Sequence, residues 1–466
     1  MAPALRPRPL PRALLFFLLP AAARLLIRPL LDPVLLPALY ASLGLPLFAL
    51  LGALYLVPAL GPAPIQAGLK GRDLLKTYND PIPESLGLVC APIYILLLIL
   101  FIPFAFSDSF VAQKGRAETA RRGTVIHEFP HHQLSAYLSS LLSLLMATML
   151  GFLDGLPIPI IASIPLLIAY YAERGATGVL LGSLLNLGPL YYAYMSLLST
   201  FCTNSINILA GINGSETSQA LIIALSVIVN DLLYLPWPVG FRIALPLHLL
   251  GRPAEVDFGG ARHAGMAYGS RVLVERHLFS LYFMVPLVAV CAGFLYHNWY
   301  PARALPGDTL RYVAGMAFAV VGIQAHFSKA LLPFFLPQIF NFVLSCPQLF
   351  RLVPCPRHRV PRLDSETSLL HPSKAEFKEK PPSAFATLIL RVFATLGLVQ
   401  LTTDEQTGAI TATTNLTILN VLLVRLGPMR EESLTKTLIC TQVAGSVFAF
   451  IVRYGLAGLV YDGNRR

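Results

Sequence analysis

The residues best placed to do chemistry in this chain of 466 residues lie in one run, Phe201-Cys-Thr-Asn-Ser-Ile-Asn-Ile-Leu-Ala-Gly-Ile-Asn-Gly-Ser-Glu216. Three carboxamides, Asn204, Asn207 and Asn213, stand there in apolar, glycine-punctuated surroundings. An amide without a partner is costly in such surroundings, so each must bond another amide, the backbone or a ligand. Asn204 and Asn207 are spaced i,i+3 and share one face of a helix. Gly211 and Gly214 permit a tight turn and close approach to the backbone. Neutral oxygens beside a glycine turn suit a Mg²⁺ and diphosphate site, on condition that a carboxylate arrives from elsewhere in the chain.

The elements that must position these residues are membrane helices. The chain is 55% hydrophobic and 13% charged, against roughly a quarter charged in an average soluble domain. Several continuous apolar runs reach the length of roughly 20 residues that a helix needs to cross a bilayer, whereas a β-barrel would show short alternating strands. The expected fold is an all-α polytopic membrane protein with about ten transmembrane helices, near 34–59, 87–107, 134–153, 156–172, 184–202, 219–236, 279–296, 311–325, 330–346 and 435–459. The more polar stretch before the last span reads as a small α+β insertion. This divides the chain into an N-terminal targeting or membrane-surface extension (1–33), a transmembrane catalytic domain (34–346), the insertion (347–434) and the last helix with its tail (435–466).

The net charge of +11 fits basic loops and helix ends, and it also favours anionic headgroups or phosphorylated substrates. No basic stripe carries interleaved aromatics, so nucleic acid is not an expected partner. Six cysteines are scattered. Cys346 and Cys355 bracket a proline-rich turn near His358, but no second Cys pair completes a zinc site. Lys and Arg divide nearly evenly between alternate loops and do not orient the helices.

With these spans, five polar segments fall on one face of the membrane: Lys70–Ser85, Gly151–Pro157, the Asn-rich run, His297–Thr309 and Pro354–Arg362. Together they supply acids, amides and a guanidinium cluster, the mixture phosphoryl transfer requires. Asp308, in a Pro-Gly-Asp turn, is the natural carboxylate for Mg²⁺, with Asn207 as a neutral co-ligand. Arg357 and Arg359 can grip phosphate with paired donors. Each residue has a purely structural alternative: Asp308, Asp154 and Glu84 as helix caps, the amides as glue between membrane helices, and Arg357 to Arg362 as a headgroup-facing cluster. Their joint occurrence carries the functional reading.

The segments Phe201–Gly214, Leu295–Pro301 with Gly307-Asp-Thr309, and Pro354-Cys-Pro-Arg-His-Arg-Val-Pro-Arg362 closely resemble the eukaryotic UDP-N-acetylglucosamine–dolichyl-phosphate N-acetylglucosaminephosphotransferase family, within the polyprenyl-phosphate N-acetylhexosamine-1-phosphate transferases. Ile82–Ser85, Phe279–Met284 and His326–Lys329 extend the resemblance, which runs from about Leu45 to the C-terminus. It implies an endoplasmic reticulum membrane enzyme with both termini in the lumen, its site on the cytosolic face, Mg²⁺ as cofactor and a homodimeric state. The implied reaction moves GlcNAc-1-phosphate from UDP-GlcNAc to dolichyl phosphate and releases UMP. By the same resemblance Asn207 and Asp308 hold the metal, and Asp154 and Asp308 are the catalytic acids. Asn213 and the backbone near Leu74 contact uridine, and Leu305 takes a uracil-stacking position that is Phe in relatives. Arg357, His358 and Arg359 bind the GlcNAc and diphosphate, with Glu84 at the edge.

One departure stands out against that pattern. Relatives carry Asp-Asp and then a short basic segment after the third span, whereas this chain reads Asp154-Gly-Leu-Pro157 and passes straight into apolar sequence. Three readings are open: a gene assembled without an exon edge, an active enzyme with a substitute cation such as Lys76, or an impaired copy acting at most as a scaffold. A transporter reading is disfavoured, because no inverted repeats with broken helices at matching positions are visible.

Overall fold

The computed structural model describes residues 12–31, 37–71, 81–106, 131–152, 189–244, 255–263, 265–267, 270–356, 359–377, 381–406 and 408–456, together with residues 8, 10, 73 and 75. The chain forms helices α1 (Arg12–Leu31), α2 (Pro37–Leu60), α3 (Pro62–Gln66), α4 (Gly87–Ala105), α5 (His131–Phe152), α6 (Pro189–Ile208), α7 (Ser215–Tyr234), α8 (Arg271–Asn298), α9 (Gly307–Gln324), α10 (Ser328–Leu331), α11 (Leu336–Leu349), α12 (Ala384–Thr395), α13 (Ile418–Leu426) and α14 (Glu431–Phe450). Among the described residues, seven helical stretches are long and apolar enough to cross a membrane: Ala13–Leu31, Pro37–Gln66, Gly87–Ala105, Gln133–Phe152, Ser215–Tyr234, Arg271–Asn298 and Glu431–Gly455. The protein is therefore a mostly helical, polytopic membrane protein.

Six of these stretches fall on expected spans, and the seventh, α1, does not. Its arginines and its internal Pro20 and Pro29 make the first thirty residues read as a broken surface segment. The helix nevertheless forms and packs along α2, where Gly44 lets Leu25 and Leu26 come close. The expected span 156–172 lies outside the described residues. The stretch expected at 330–346 is not one helix: α10 passes through a 3-10 turn, Leu332–Phe335, before α11 begins, with Pro333 and Pro337 in that stretch interrupting the backbone ladder.

Helix α9 is the axis of the bundle. From Val313 to Gln324 every residue is buried, and the sequence Ala-Gly-Met-Ala-Phe-Ala over 314–319 alternates small with large. Small residues let membrane helices approach closely, since packing replaces the hydrophobic drive available in water. A methyl group added at Gly315 would lie 2.4 Å from both the Cys202 carbonyl oxygen and Thr203 Cα of α6. We therefore expect Gly315→Val to destabilise the protein by about 3 kcal/mol, an overpacking cost that thermal denaturation in detergent would register. Polar glue adds to the packing: Gln338 of α11 donates to Gln219 of α7 at 2.8 Å and to Gln442 of α14 at 2.7 Å.

Strands are few. A two-residue pair, β1 (Lys70–Gly71) with β2 (Ile82–Pro83), sits where the Asn-rich run also ends. A longer antiparallel pair, β3 (Trp237–Ala244) with β4 (Glu255–His263), lies between α7 and α8. Beyond α11, β5 (Arg362–Leu363) pairs with β6 (Leu370–His371), and β7 (Lys374–Glu376), β8 (Leu401–Thr403) and β9 (Ile410–Thr414) form an antiparallel sheet in the order β7-β9-β8.

Candidate active site

The polar residues collect in a cleft of about 330 Å³ lined by Asp73, Glu84, Asn213, Glu216, Leu305, Arg311 and Arg359, among others. Four loop or helix-end segments meet there. The α6–α7 turn brings Ala210 to Asn213, and the loop before α9 brings Leu305 to Gly307. The first polar loop brings Asp73 and Glu84, and the segment after α11 brings Arg359 and Val360. Glycines make the meeting possible. Gly211 has φ +117°, and a methyl group there would lie 2.4 Å from Val360 Cγ1. Gly307 has φ +60° and presses against the Ser85 backbone. The loop before α9 also joins the second polar loop: Gly151, at the end of α5, lies so close that an added methyl would be 2.6 Å from Thr309 Cα.

Around Arg311, which lines the cleft, three oxygens from three helices gather. Arg311 donates through Nη1 to Asn207 Oδ1 at 2.7 Å and to Asp308 Oδ1 at 2.7 Å. Through Nη2 it donates to Glu216 Oε1 at 2.9 Å, and Glu216 Oε2 accepts from Ser215 Oγ at 2.9 Å. Asp308 and Glu216 both lie in first turns of their helices, where the helix dipole favours acids. Asn207 and Asp308 offer one neutral and one anionic hard oxygen to a common point, a donor set that Mg²⁺ accepts when substrate phosphate and water complete its octahedron. The residues present fit that ion.

Asn213 is held on three sides. Its backbone N–H donates to Glu431 Oε1 at 2.7 Å, its Nδ2 donates to Asp73 Oδ2 at 3.0 Å, and its carbonyl accepts from Thr435 Oγ1 at 3.0 Å. Glu431 is 4% exposed, so Glu431→Ala would leave that buried N–H unpaired, at a cost of about 1–3 kcal/mol. The expected result is a raised KM for the donor substrate with little change in kcat, and recovery in Glu431→Gln, which keeps the acceptor oxygen. An unchanged KM in Glu431→Ala would remove this support role.

Leu305 packs on Gly71, and Glu84 stands beside it. The loop is bound to β2: Leu305 N–H donates to Pro83 O at 3.1 Å, and Leu86 N–H donates to Leu305 O at 3.2 Å. Arg359 has its carbonyl fixed by Asn420 Nδ2 at 3.0 Å. Its Nη1 is buried with no hydrogen-bond partner among the described residues, so it has a donor to spare for a ligand. Arg8, before α1, also reaches the end of α8. Arg8 donates to the carbonyls of Tyr296 and Trp299 at 2.7 Å each, at the end of α8. Burial, and then the charge of Arg303, lowers the Arg8 pKa from its ordinary value.

Of the residues singled out by sequence, Asn207, Asn213, Glu84, Leu305, Asp308 and Arg359 come together here. Leu74, Asp154, Arg357 and His358 lie outside the described residues. Asn204 turns away, donating to Thr200 O of its own helix at 2.7 Å from an exposed position. Sequence reasoning assigned no role to Asp73, Glu216, Arg311 or Glu431. Asp73 and Glu216 fall within the polar segments the sequence grouped, and the i,i+3 spacing from Asp308 marks Arg311, but nothing local marks Glu431.

Fold and site define a class: a polytopic helical membrane protein with an acid, amide and guanidinium cleft where its central helices end. The model of glycosyl transferase family 4 matches residues 137–326. The UDP-N-acetylglucosamine–dolichyl-phosphate N-acetylglucosaminephosphotransferase of Schizosaccharomyces pombe is 40% identical over 91% of this chain and 93% of its own. The protein of the same name from Saccharomyces cerevisiae is 36% identical over the same shares. That from Dictyostelium discoideum is 35% identical over 86% of this chain and 85% of its own. The chain belongs to the UDP-N-acetylglucosamine–dolichyl-phosphate N-acetylglucosaminephosphotransferase family.

Proposed function

We propose that the protein transfers GlcNAc-1-phosphate from UDP-GlcNAc to dolichyl phosphate, giving GlcNAc-PP-dolichol and UMP. The observation that carries this reading is the convergence of Asn207, Asp308 and Glu216 oxygens on Arg311, which lines the cleft, with an Arg359 nitrogen that has no partner among the described residues in the cleft wall. The names of the relatives agree with it.

In this reading Asn207 and Asp308 would hold Mg²⁺, which would supply positive charge to offset that of the diphosphate. Arg359, with Arg357 and His358, grips the GlcNAc phosphate through charge-assisted bonds. Asn213 and the backbone near Leu74 hold the uridine, Leu305 offers an apolar wall to uracil, and Glu84 lines the rim. Asp154 is the second catalytic acid. The acceptor oxygen of dolichyl phosphate is already anionic and attacks the β-phosphorus with UMP as leaving group. Its alignment and the offset of developing charge therefore matter more than a strong base.

The same reading places the protein in the endoplasmic reticulum membrane, as a homodimer, with the cleft facing the cytosol. About ten spans follow α1, and residues 347–434 form a cytosolic α+β insertion. The resemblance puts both termini in the lumen, and α1, long and apolar enough to cross a membrane, would add one crossing before these spans. The direct test is UMP release from UDP-GlcNAc by the purified chain with dolichyl phosphate. A Mg²⁺-dependent, tunicamycin-sensitive product is expected, and none would overturn the assignment.

A further inference from the structure

Arg311 lies where a divalent cation would have to sit. Its Nη1 is equidistant, at 2.7 Å, from Asn207 Oδ1 and Asp308 Oδ1, the two oxygens best suited to the metal. Mg²⁺ binds oxygen at roughly 2.0–2.1 Å. An ion touching both atoms would thus compete with the guanidinium nitrogen for the same two oxygens at close range. Two positive charges that close repel strongly in a site screened from water. The Arg311 side chain is only 19% exposed and Glu216 only 7%, so water does little to weaken that repulsion. The contact is also well built. The guanidinium spans three helices, and its Nη2 ion pair to Glu216 is separate from the Nη1 bonds to the presumptive ligands.

We propose that Arg311 is a tethered competitor for the divalent cation: it closes the metal site in the substrate-free protein and yields when the nucleotide diphosphate arrives. This rests on the metal reading above. With no substrate bound, the guanidinium neutralises Asp308 and Glu216 and holds the amide and carboxylate oxygens together. When a diphosphate occupies the cleft, its own negative charge gives the guanidinium a new partner. Arg311 can then leave Asn207 and Asp308 while keeping Glu216 as its pivot, and both cations face the phosphates. The metal site becomes complete only with donor substrate present. Arg311 thereby adds a positive charge to the cleft of a chain whose sequence lacks the basic segment that follows Asp154 in relatives.

The test is Mn²⁺ binding, followed by electron paramagnetic resonance on purified wild type and Arg311→Gln in detergent, without nucleotide. Removal of the competitor should tighten Mn²⁺ binding about tenfold or more, and saturating UDP-GlcNAc should shrink that difference severalfold. Adding Asp308→Asn to the Arg311→Gln chain should abolish the gain. Equal or weaker binding by Arg311→Gln overturns the proposal alone, as does a gain that survives Asp308→Asn. Absence of Mn²⁺ binding in every variant, with or without UDP-GlcNAc, overturns the metal reading and this proposal with it. Should Arg311→Gln fail to fold, Arg311→Lys carries the same test, because an ammonium lacks the fork that bridges both oxygens. Its gain should have the same sign and be smaller.

Discussion

Asp308→Ala should lower the rate of UMP release by about 10³-fold, with the folded protein intact. The size follows from position. Asp308 accepts from the same Arg311 nitrogen, Nη1, as Asn207, whereas Glu216 accepts from Nη2, and Asp308 sits in the first turn of α9, where 14 of 18 residues are buried. The backbone there is fixed from outside by Gly307 against Ser85 and by Gly151 against Thr309. Removing the carboxylate therefore changes charge without moving the helix. Stability should change little, because the side chain is 24% exposed and Arg311 keeps Glu216 and Asn207 as partners. The measurement is initial rate against UDP-GlcNAc concentration for wild type and variant, with melting temperatures in parallel. A variant retaining more than about a tenth of wild-type kcat would remove Asp308 from the site.

Part of this site is legible in the residues alone, for a physical reason. Asn207, Asn213 and Asp308 betray themselves because amides and acids are expensive in apolar sequence, so each demands a partner. Grouping loops by face then brings them together without knowledge of any contact. Arg311 and Glu216 escape the same reasoning because they look ordinary: an arginine one turn into a helix and an acid in a first turn. Their meaning lies in the packing of α6, α7 and α9, which a one-dimensional pattern does not encode. Glu431 is further removed still, reaching Asn213 across 218 residues of chain.

The bundle was read less evenly. Runs such as Gly87–Ala105 announce themselves by apolar length, and the shorter run at 311–325 marks α9, although that helix is not among those that qualify by length and hydropathy. Helix α1 shows the opposite case. Arg24 and Arg28 suggest a surface segment, yet long basic side chains can reach outward while the helix stays apolar. The consequence is functional, since the α1–α2 hairpin is what returns Arg8 to the loop carrying Trp299 and, a few residues on, Leu305 and Asp308.

Arg359→Ala should lower kcat/KM for UDP-GlcNAc by about 10²-fold, and Arg359→Lys should restore only part of it. The backbone of Arg359 is anchored away from the cleft by Asn420, which also bonds Thr417 Oγ1 at 2.8 Å and so is itself immobilised. Val360 is pressed against the open face of Gly211, which ties the arginine to the turn that carries Asn213. The Arg359 backbone thus starts fixed, so less chain entropy is lost when its guanidinium meets a phosphate. A buried nitrogen without a partner is a standing cost to the folded protein, and a bound anion would remove that cost. Arg359→Ala should accordingly leave stability unchanged or slightly higher while activity falls. That opposition of signs separates a substrate contact from a scaffold contact. If the arginine only held the insertion to the bundle, activity and melting temperature would fall together, and Lys, lacking the planar fork, would rescue neither.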